Sequence, residues 1–246
     1  MTTTTNVDHE VLSHSAWFQA HQSHLAREKE LTRLRDELAA ERRALPWLEV
    51  TEAYEFDGPV ASDGGGKKSL LDLFGDQEQL LVYHFMYGPD WGEEGCPSCS
   101  FWADNFDGVQ VHLEHRDTAF AVVSRATTQQ IEAYQARMGW GFDWYSSNRS
   151  QFNFDMGVTP RPEEIEAGTA RYNFGTQDAG TDESPGISAF RRTEDGRIFL
   201  TNQVFSRGLD LVNGAYHWLD LTSKGRDEGE LEWPMAWLRR HDAYEG

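Results

Sequence analysis

Apolar positions along this chain change their period twice. From Ala16 to Leu45, the residues Phe18, Leu25, Leu31, Leu34, Leu38 and Leu45 recur mostly at three-, four- and seven-residue intervals among charged residues, which predicts a helix stopped by Pro46. Its length exceeds that of an ordinary globular helix. The pattern therefore predicts either a break near Ser23 or an extended arm lying against a partner or its own domain. Beyond Pro46 the texture shortens: Leu48-Glu49-Val50 and Tyr54-Glu55-Phe56 read as short strands flanking a turn. The run from Leu80 to Tyr87 is dominated by apolar and aromatic residues and suits a central strand buried on both faces.

After a loop at Asp90–Gly95, Cys96-Pro97-Ser98-Cys99 opens a helix through Phe101, Trp102 and Phe106, with Pro97 in the first turn where its missing N–H costs nothing. Thr118–Ser124 reads as a second buried strand and Thr127–Met138 as an amphipathic helix carrying Ile131 and Tyr134. The aromatic stretch Met138–Ser147 predicts a short strand ending in a surface loop. Residues 157–183, rich in glycine, proline and acids, read as an irregular insertion. Gly186–Phe190 and Arg197–Val204 flank Glu194-Asp195-Gly196, a hairpin signal, and Trp233–Arg240 predicts a closing helix.

Composition narrows the function classes. Among 246 residues, 22 Lys+Arg against 41 Asp+Glu leave a net charge of −19, which repels phosphate backbones and anionic lipid surfaces, so neither nucleic acid nor membrane is expected as a partner. No stretch approaches the roughly 20 apolar residues of a membrane helix, and the first residues offer neither a basic nor an apolar signal region, so the expected address is the cytoplasm. Asp63-Gly64-Gly65-Gly66-Lys67-Lys68-Ser69 lacks Walker spacing and a preceding strand, and is expected to be a flexible loop. The chain has two cysteines, both in one Cys-x-x-Cys cluster, which excludes a disulfide framework and asks for a chemical explanation.

Strand, Cys-x-x-Cys, helix, strand, helix, hairpin and closing helix is the plan of a thioredoxin-like α/β domain, a central mixed sheet flanked by helices. The expected organisation is a disordered tail at 1–14, an N-terminal helical extension at 15–46 and a thioredoxin-like domain at 47–246. The chain also resembles a bacterial thioredoxin-like family catalogued as a domain of unknown function and described as predicted dithiol-disulfide oxidoreductases. The matching blocks include Arg42-Arg43-Ala44-Leu45-Pro46-Trp47, Tyr83-His84-Phe85-Met86, Gly95-Cys96-Pro97-Ser98-Cys99-Ser100, Met138-Gly139-Trp140, Tyr172-Asn173-Phe174 and Trp237-Leu238-Arg239-Arg240-His241-Asp242.

A dithiol exchanger needs an accessible thiolate and a second thiol to resolve the mixed disulfide. A helix N-terminus favours the Cys96 thiolate and shields Cys99 one turn further in, which makes Cys96 the candidate nucleophile and Cys99 the resolving thiol. Pro97 stiffens the turn, while Glu93 and Glu94 are expected to raise the thiol pKa. Likeness to thioredoxins implies a proton-moving group on the preceding strand, for which His84 is the candidate, and a cis-proline opposite the cysteines, for which Pro185 stands in place. Trp91, five residues before Cys96, departs from the thioredoxin pattern. It could line a hydrophobic cleft with Trp102, Trp140 and Trp144. Arg125 sits at the carboxyl edge of the second strand, where sites form in open α/β sheets. No bound cofactor is implied. The expected partners are a protein or small-molecule disulfide and an external thiol reductant, with a homodimer through the N-terminal helix as a further expectation. Three rival readings use the same cysteines: a metal site with His112, His115 or His84, a peroxide-reducing thiol, and a non-enzymatic adaptor with inert cysteines.

Overall fold

The structure, a computed structural model, describes residues 9–58 and 66–245. Residues 1–8 of the expected tail and Asp63, Gly64 and Gly65 of the glycine-rich loop lie outside the described residues. The chain divides into two units, 1–46 and 47–246. In the first, one helix runs from His14 to Arg43, without the break near Ser23 that was one of two alternatives. The Ser23 hydroxyl donates back to the Gln19 carbonyl (3.0 Å), which satisfies the side chain and leaves the helical ladder intact. The Ser13 side chain caps the start by accepting from the Ala16 N–H, and Arg42 and Arg43 face the negative end of the dipole. Among the described residues, no helix is long and apolar enough to cross a membrane.

The second unit is built on an eight-stranded mixed sheet. Its strands are β1 (Leu48–Val50), β2 (Glu55–Asp57), β3 (Lys67–Ser69), β4 (Gln79–His84), β5 (Thr118–Ser124) and β6 (Trp144–Ser146), with β9 (Gly186–Arg192) and β10 (Ile198–Phe205). They lie in the order β1-β10-β9-β4-β5-β6-β2-β3. β4 is central, parallel to β5 and antiparallel to β9, and β5 runs parallel to β6. The helices Pro97–Ala103 and Gln110–Glu114 lie on the crossover from β4 to β5, and Thr128–Met138 on that from β5 to β6. β9 and β10 form an antiparallel hairpin whose turn uses Gly196 at positive φ. β10-β9-β4-β5 with these connections is the thioredoxin-like core. The stretch 157–183 contains a single-turn helix, Pro162–Glu166, and a two-stranded ribbon of β7 (Arg171–Tyr172) and β8 (Gln177–Asp178).

The two short strands expected on either side of the turn after Pro46 are present, and they join different sides of the sheet: β1 pairs with β10, while β2 pairs with β3 and β6 toward the opposite edge. Burial of Tyr54 and Phe56 in the core beside Phe152 draws β2 to that edge. Two expectations are corrected. The strand expected over 80–87 ends at His84: the Phe85 N–H still donates to the Val123 carbonyl (2.9 Å), but from Met86 onward the backbone bonds to the cysteine motif instead. The closing helix at Trp233–Arg240 is a series of turns, with Met235 at φ 71°. There the Glu228 carboxylate takes the Met235 N–H and the Trp237 indole N–H, giving the segment partners outside a helical ladder. The last helix is instead Gly214–Leu219, capped by the Asn213 side chain.

Two cores lie on the two faces of the sheet, separated by the alternation along β4. Tyr83 and Phe85 join Cys99, Trp102, Phe106 and Trp144 on one face, while Leu80 and Val82 join Phe56, Phe152 and Phe190 on the other. His84 follows the second set. Its ring lies 5.5 Å from that of Phe152 and its Nε2 meets the Ser188 hydroxyl at 2.8 Å. Burial pushes the imidazolium of His84 down to about 3.

This lowered value sets a stability slope. An unfolded chain protonates His84 below about 6.5 while the folded chain does not, so stability is full above that value and falls as pH drops toward 3. Urea unfolding of wild type and His84→Gln at pH 7.5 and 5.0 should show wild type losing about 2 kcal/mol more than the variant on acidification. Equal losses in the two proteins would contradict a neutral buried histidine.

Candidate functional site

The motif is held by backbone bonds from the end of the central strand. Cys96 is the N-cap of the Pro97–Ala103 helix, and Pro97 occupies its first position. The Cys96 N–H donates to the Met86 carbonyl (3.1 Å), and the Met86 N–H donates to the Cys99 sulfur (3.4 Å). Below the turn, the Ser100 hydroxyl donates to the Cys96 carbonyl (2.9 Å) and lies 2.8 Å from the Tyr134 hydroxyl. Arg240 donates to the same Tyr134 oxygen (2.7 Å) and to the Gly95 carbonyl (2.6 Å), and pairs with Glu94 at 3.0 Å. Gly95 is required by close approach. A Cβ there would sit 2.6 Å from Phe85 Cε1 and 3.2 Å from Tyr134 Cε1.

The two thiols are electrostatically unequal. Cys96 is partly exposed and Cys99 is buried. The Cys96 thiol is pulled down to about 7, chiefly because the Cys99 thiol bonds to its sulfur, with the Cys99 and Ser98 backbone N–H groups adding to this against the opposing effect of burial. The Cys99 thiol moves well above its ordinary range, first through burial and then because Cys96 holds its proton. Glu94, expected to raise the Cys96 pKa, is instead neutralised by Arg137 and Arg240 and held below the usual carboxylate range.

The predicted site residues divide between neighbours of the dithiol and residues held elsewhere. Pro97 and Cys96 share the turn. Pro185 lines a cavity of about 230 Å³ together with Cys99, Tyr83, Met86, Trp102 and Leu209. No peptide bond is cis among the described residues, so the cis geometry expected at Pro185 is corrected to trans, the lower-energy isomer for X-Pro. Its carbonyl accepts from the Tyr172 hydroxyl (2.6 Å). Trp91 packs at the margin of the core that contains Cys99, its indole N–H bound to Asp182 (2.9 Å). Of the other tryptophans, Trp102 lines the cavity, while Trp140 and Trp144 are core residues. Arg125 is engaged by Glu183 (3.2 Å) and stacks over Phe154, so it is an ion-pair residue. Burial pushes the Glu183 carboxyl up to about 7, against the pull of Thr159 and Arg125.

His84 is corrected as the proton-moving group beside the dithiol, because strand alternation sends it to the opposite face, against Phe152 and Ser188. Tyr83, its neighbour in the strand, lies by Cys99 instead. Burial, followed by the charge and the hydrogen bond of the neighbouring Cys99, drives the pKa of its hydroxyl upward. No group of three or more His, Cys, Asp or Glu side chains is assembled for a metal among the described residues, His112 and His115 included. Tyr83, Met86, Ser100, Tyr134 and Arg240 were missed as site residues. Alternation along β4 carried a signal for Tyr83, while Arg240 lies 145 residues from the Gly95 it grips.

The profile of a family described as bacterial protein of unknown function (DUF899) matches residues 6–244. No curated protein matches the chain. Among solved structures, the chain is similar to peroxiredoxin Q of Xanthomonas campestris, at 12% identity and a TM-score of 0.43, over 67% of this chain and 90% of that one. It is also similar to peroxidoxin BcpB of Mycobacterium tuberculosis, at 11% identity and a TM-score of 0.43, over 65% and 92%. A third similar structure is the reduced 2-Cys peroxiredoxin of Plasmodium vivax, at 11% identity and a TM-score of 0.39, over 68% and 94%.

The contact at Gly95 has a measurable consequence. Gly95→Ala should lower stability by about 1–3 kcal/mol, the usual cost of overpacking. Gly141→Ala, whose Cβ would meet only Asp107 Oδ1 at an ordinary 3.6 Å, should change it little. Urea midpoints of the two variants decide the point, and an unaffected Gly95→Ala would show that the motif loop is free to move away from Phe85.

Proposed function

The chain belongs to the bacterial DUF899 family, and from that premise we propose that it is a thiol-disulfide oxidoreductase acting through Cys96 and Cys99. The observation that carries this reading is the inequality of the thiols. Cys96 is partly exposed with its pKa drawn to about 7, and Cys99 is buried with its proton held. A nucleophile is most effective when its pKa lies near the ambient pH, since a lower value sacrifices nucleophilicity and a higher one sacrifices thiolate.

In the proposed reaction, the Cys96 thiolate attacks one sulfur of a substrate disulfide and the substrate S–S bond breaks. One substrate thiolate departs and takes a proton from solvent. Cys99 then gives up its proton and attacks the Cys96 sulfur. The mixed disulfide breaks and releases the second substrate thiol. Two electrons have moved from the dithiol to the substrate, and the resulting Cys96–Cys99 disulfide is reduced again by an external thiol. Met86 serves as a positioning residue. Its N–H bond to the Cys99 sulfur favours the thiolate that the second step needs.

Alkylation of the reduced protein by iodoacetamide should give one fast cysteine, Cys96, with a half-maximal rate near pH 7. In Cys99→Ala the first cause of the lowered pKa is gone, and the midpoint should move up toward the ordinary thiol range. In glutathione redox buffers, wild type should form a reversible Cys96–Cys99 disulfide, and Cys99→Ser should accumulate glutathione on Cys96. Two thiols that stay unreactive below pH 9 and never pair would sink the proposal and leave the adaptor reading.

A further inference from the structure

The helix His14–Arg43 has no buried residue along its 30 positions, yet it carries large apolar side chains. Trp17, Leu31, Leu34 and Leu38 are each about half exposed. Their spacing is regular. In a heptad frame with Leu31 in the first place, Trp17, Leu31 and Leu38 occupy a positions and Ala20 and Leu34 occupy d positions, which together form the seam that two helices share in a coiled coil. Phe18 and Leu25 lie off this seam, and His24, Arg27 and Glu41 interrupt it, so its apolar part is densest over Leu31–Leu38. A helix in water gains little from propensity alone, and most of the stability of such an element comes from packing its apolar face.

Charge identifies the occupant. Residues 1–46 hold six of the 22 basic side chains and seven of the 41 acids, so nearly all of the net charge of −19 belongs to residues 47–246. Two copies of the chain repel through their acidic parts, and the near-neutral helix is where they meet with least repulsion. The positions flanking the seam then fix the orientation. Glu30 and Glu37 stand at g, and Arg35 and Arg42 at e. In a parallel pair, g of one helix faces e of the following heptad on the other, which sets Glu30 against the second copy's Arg35 and Glu37 against its Arg42, and the two-fold axis repeats both pairs on the other side. An antiparallel pair sets g against g, glutamate against glutamate. Within one chain Glu30 also lies 3.6 Å from Arg27, an exposed pair worth little. We infer that the helix His14–Arg43 pairs with the same helix of a second copy as a parallel, two-stranded coiled coil, with Leu31, Leu34 and Leu38 in the seam and Glu30–Arg35 and Glu37–Arg42 pairs across it. This gives the expected homodimer an orientation and a register, and it is independent of what the dithiol does.

The test is sedimentation equilibrium of the full-length, reduced protein. Wild type should pass from monomer to dimer across a series from about 1 to 500 µM, as suits a short, interrupted seam. Leu31→Glu with Leu38→Glu puts carboxylates into the seam and should raise the dissociation constant about a hundredfold or more. Glu30→Lys with Glu37→Lys makes each cross-pair repulsive and should raise it about tenfold, although the chain then carries less net negative charge. Adding Arg35→Glu and Arg42→Glu to that variant restores opposite signs and should restore the wild-type affinity. None of these positions is buried, and glutamate and lysine are good helix formers, so the variants keep the fold. A wild type that stays monomeric throughout, or a dimer indifferent to the two leucine substitutions, overturns the inference. A dimer that the lysine variant leaves intact overturns the parallel register. Because the readout is mass, failure here leaves the dithiol reaction to be judged by its own alkylation and disulfide tests.

Discussion

Met86 sits just past the central strand, and its backbone gives an N–H to the Cys99 sulfur while its carbonyl takes the N–H of Cys96. Those two bonds join the end of the central strand to the start of the motif helix. They also explain why the ladder goes no further than the Phe85 N–H, since a backbone that serves the motif cannot continue a ladder. Everything else around the dithiol is arranged to keep this junction in place. Phe85 and Tyr134 pack against Gly95 so closely that no side chain fits there, and Arg240 ties the Gly95 carbonyl to Tyr134, whose hydroxyl meets Ser100 under the Cys96 carbonyl.

The chemical inequality of the cysteines follows from that junction. A seven-residue helix offers few N–H groups, and its first position is a proline that has none. The Cys99 thiol supplies the missing stabilisation of the Cys96 thiolate, with local N–H groups of Cys99 and Ser98 behind it. Cys99 in turn keeps its proton because burial penalises its charged form. A strongly acidic chain would be expected to work against a thiolate, yet the nearest acid, Glu94, is neutralised by two arginines. Local pairing therefore outweighs net charge at the site, as it does wherever partners lie within contact distance and distant charges are screened by solvent.

Elsewhere in the second unit, buried polar groups are paired with care, which makes the exceptions informative. Glu183 is held by Thr159 and Arg125, and Glu228 accepts three bonds. The Nδ1 of His84 is among the buried groups without a partner, while the Tyr83 hydroxyl, on the opposite face of the strand, has the Cys99 thiol beside it. On the face of His84 the ring is simply neutral and packed. On the face of Tyr83 the hydroxyl lies beside the Cys99 thiol.

What the chain determined by itself was local. Periodicity located the long helix, the central strand and the helix after Cys96. Asp195-Gly196 marked the hairpin, and Cys-x-x-Cys marked the start of the motif helix, because helix starts, strand alternation and tight turns depend on residues within a few positions of one another. Tertiary structure decided the rest. Alternation showed that Tyr83 and His84 point to opposite faces, but only the packing of the motif helix chose Tyr83's face for the cysteines. β1 and β2 parted because the sheet had two free edges and Tyr54 and Phe56 had a core to enter. Trp233–Arg240 lost its helix to the carboxylate of Glu228, and Arg240 found the motif loop from 145 residues away. Such choices are made by free-energy differences between alternative long-range contacts, which a window of a few residues does not contain.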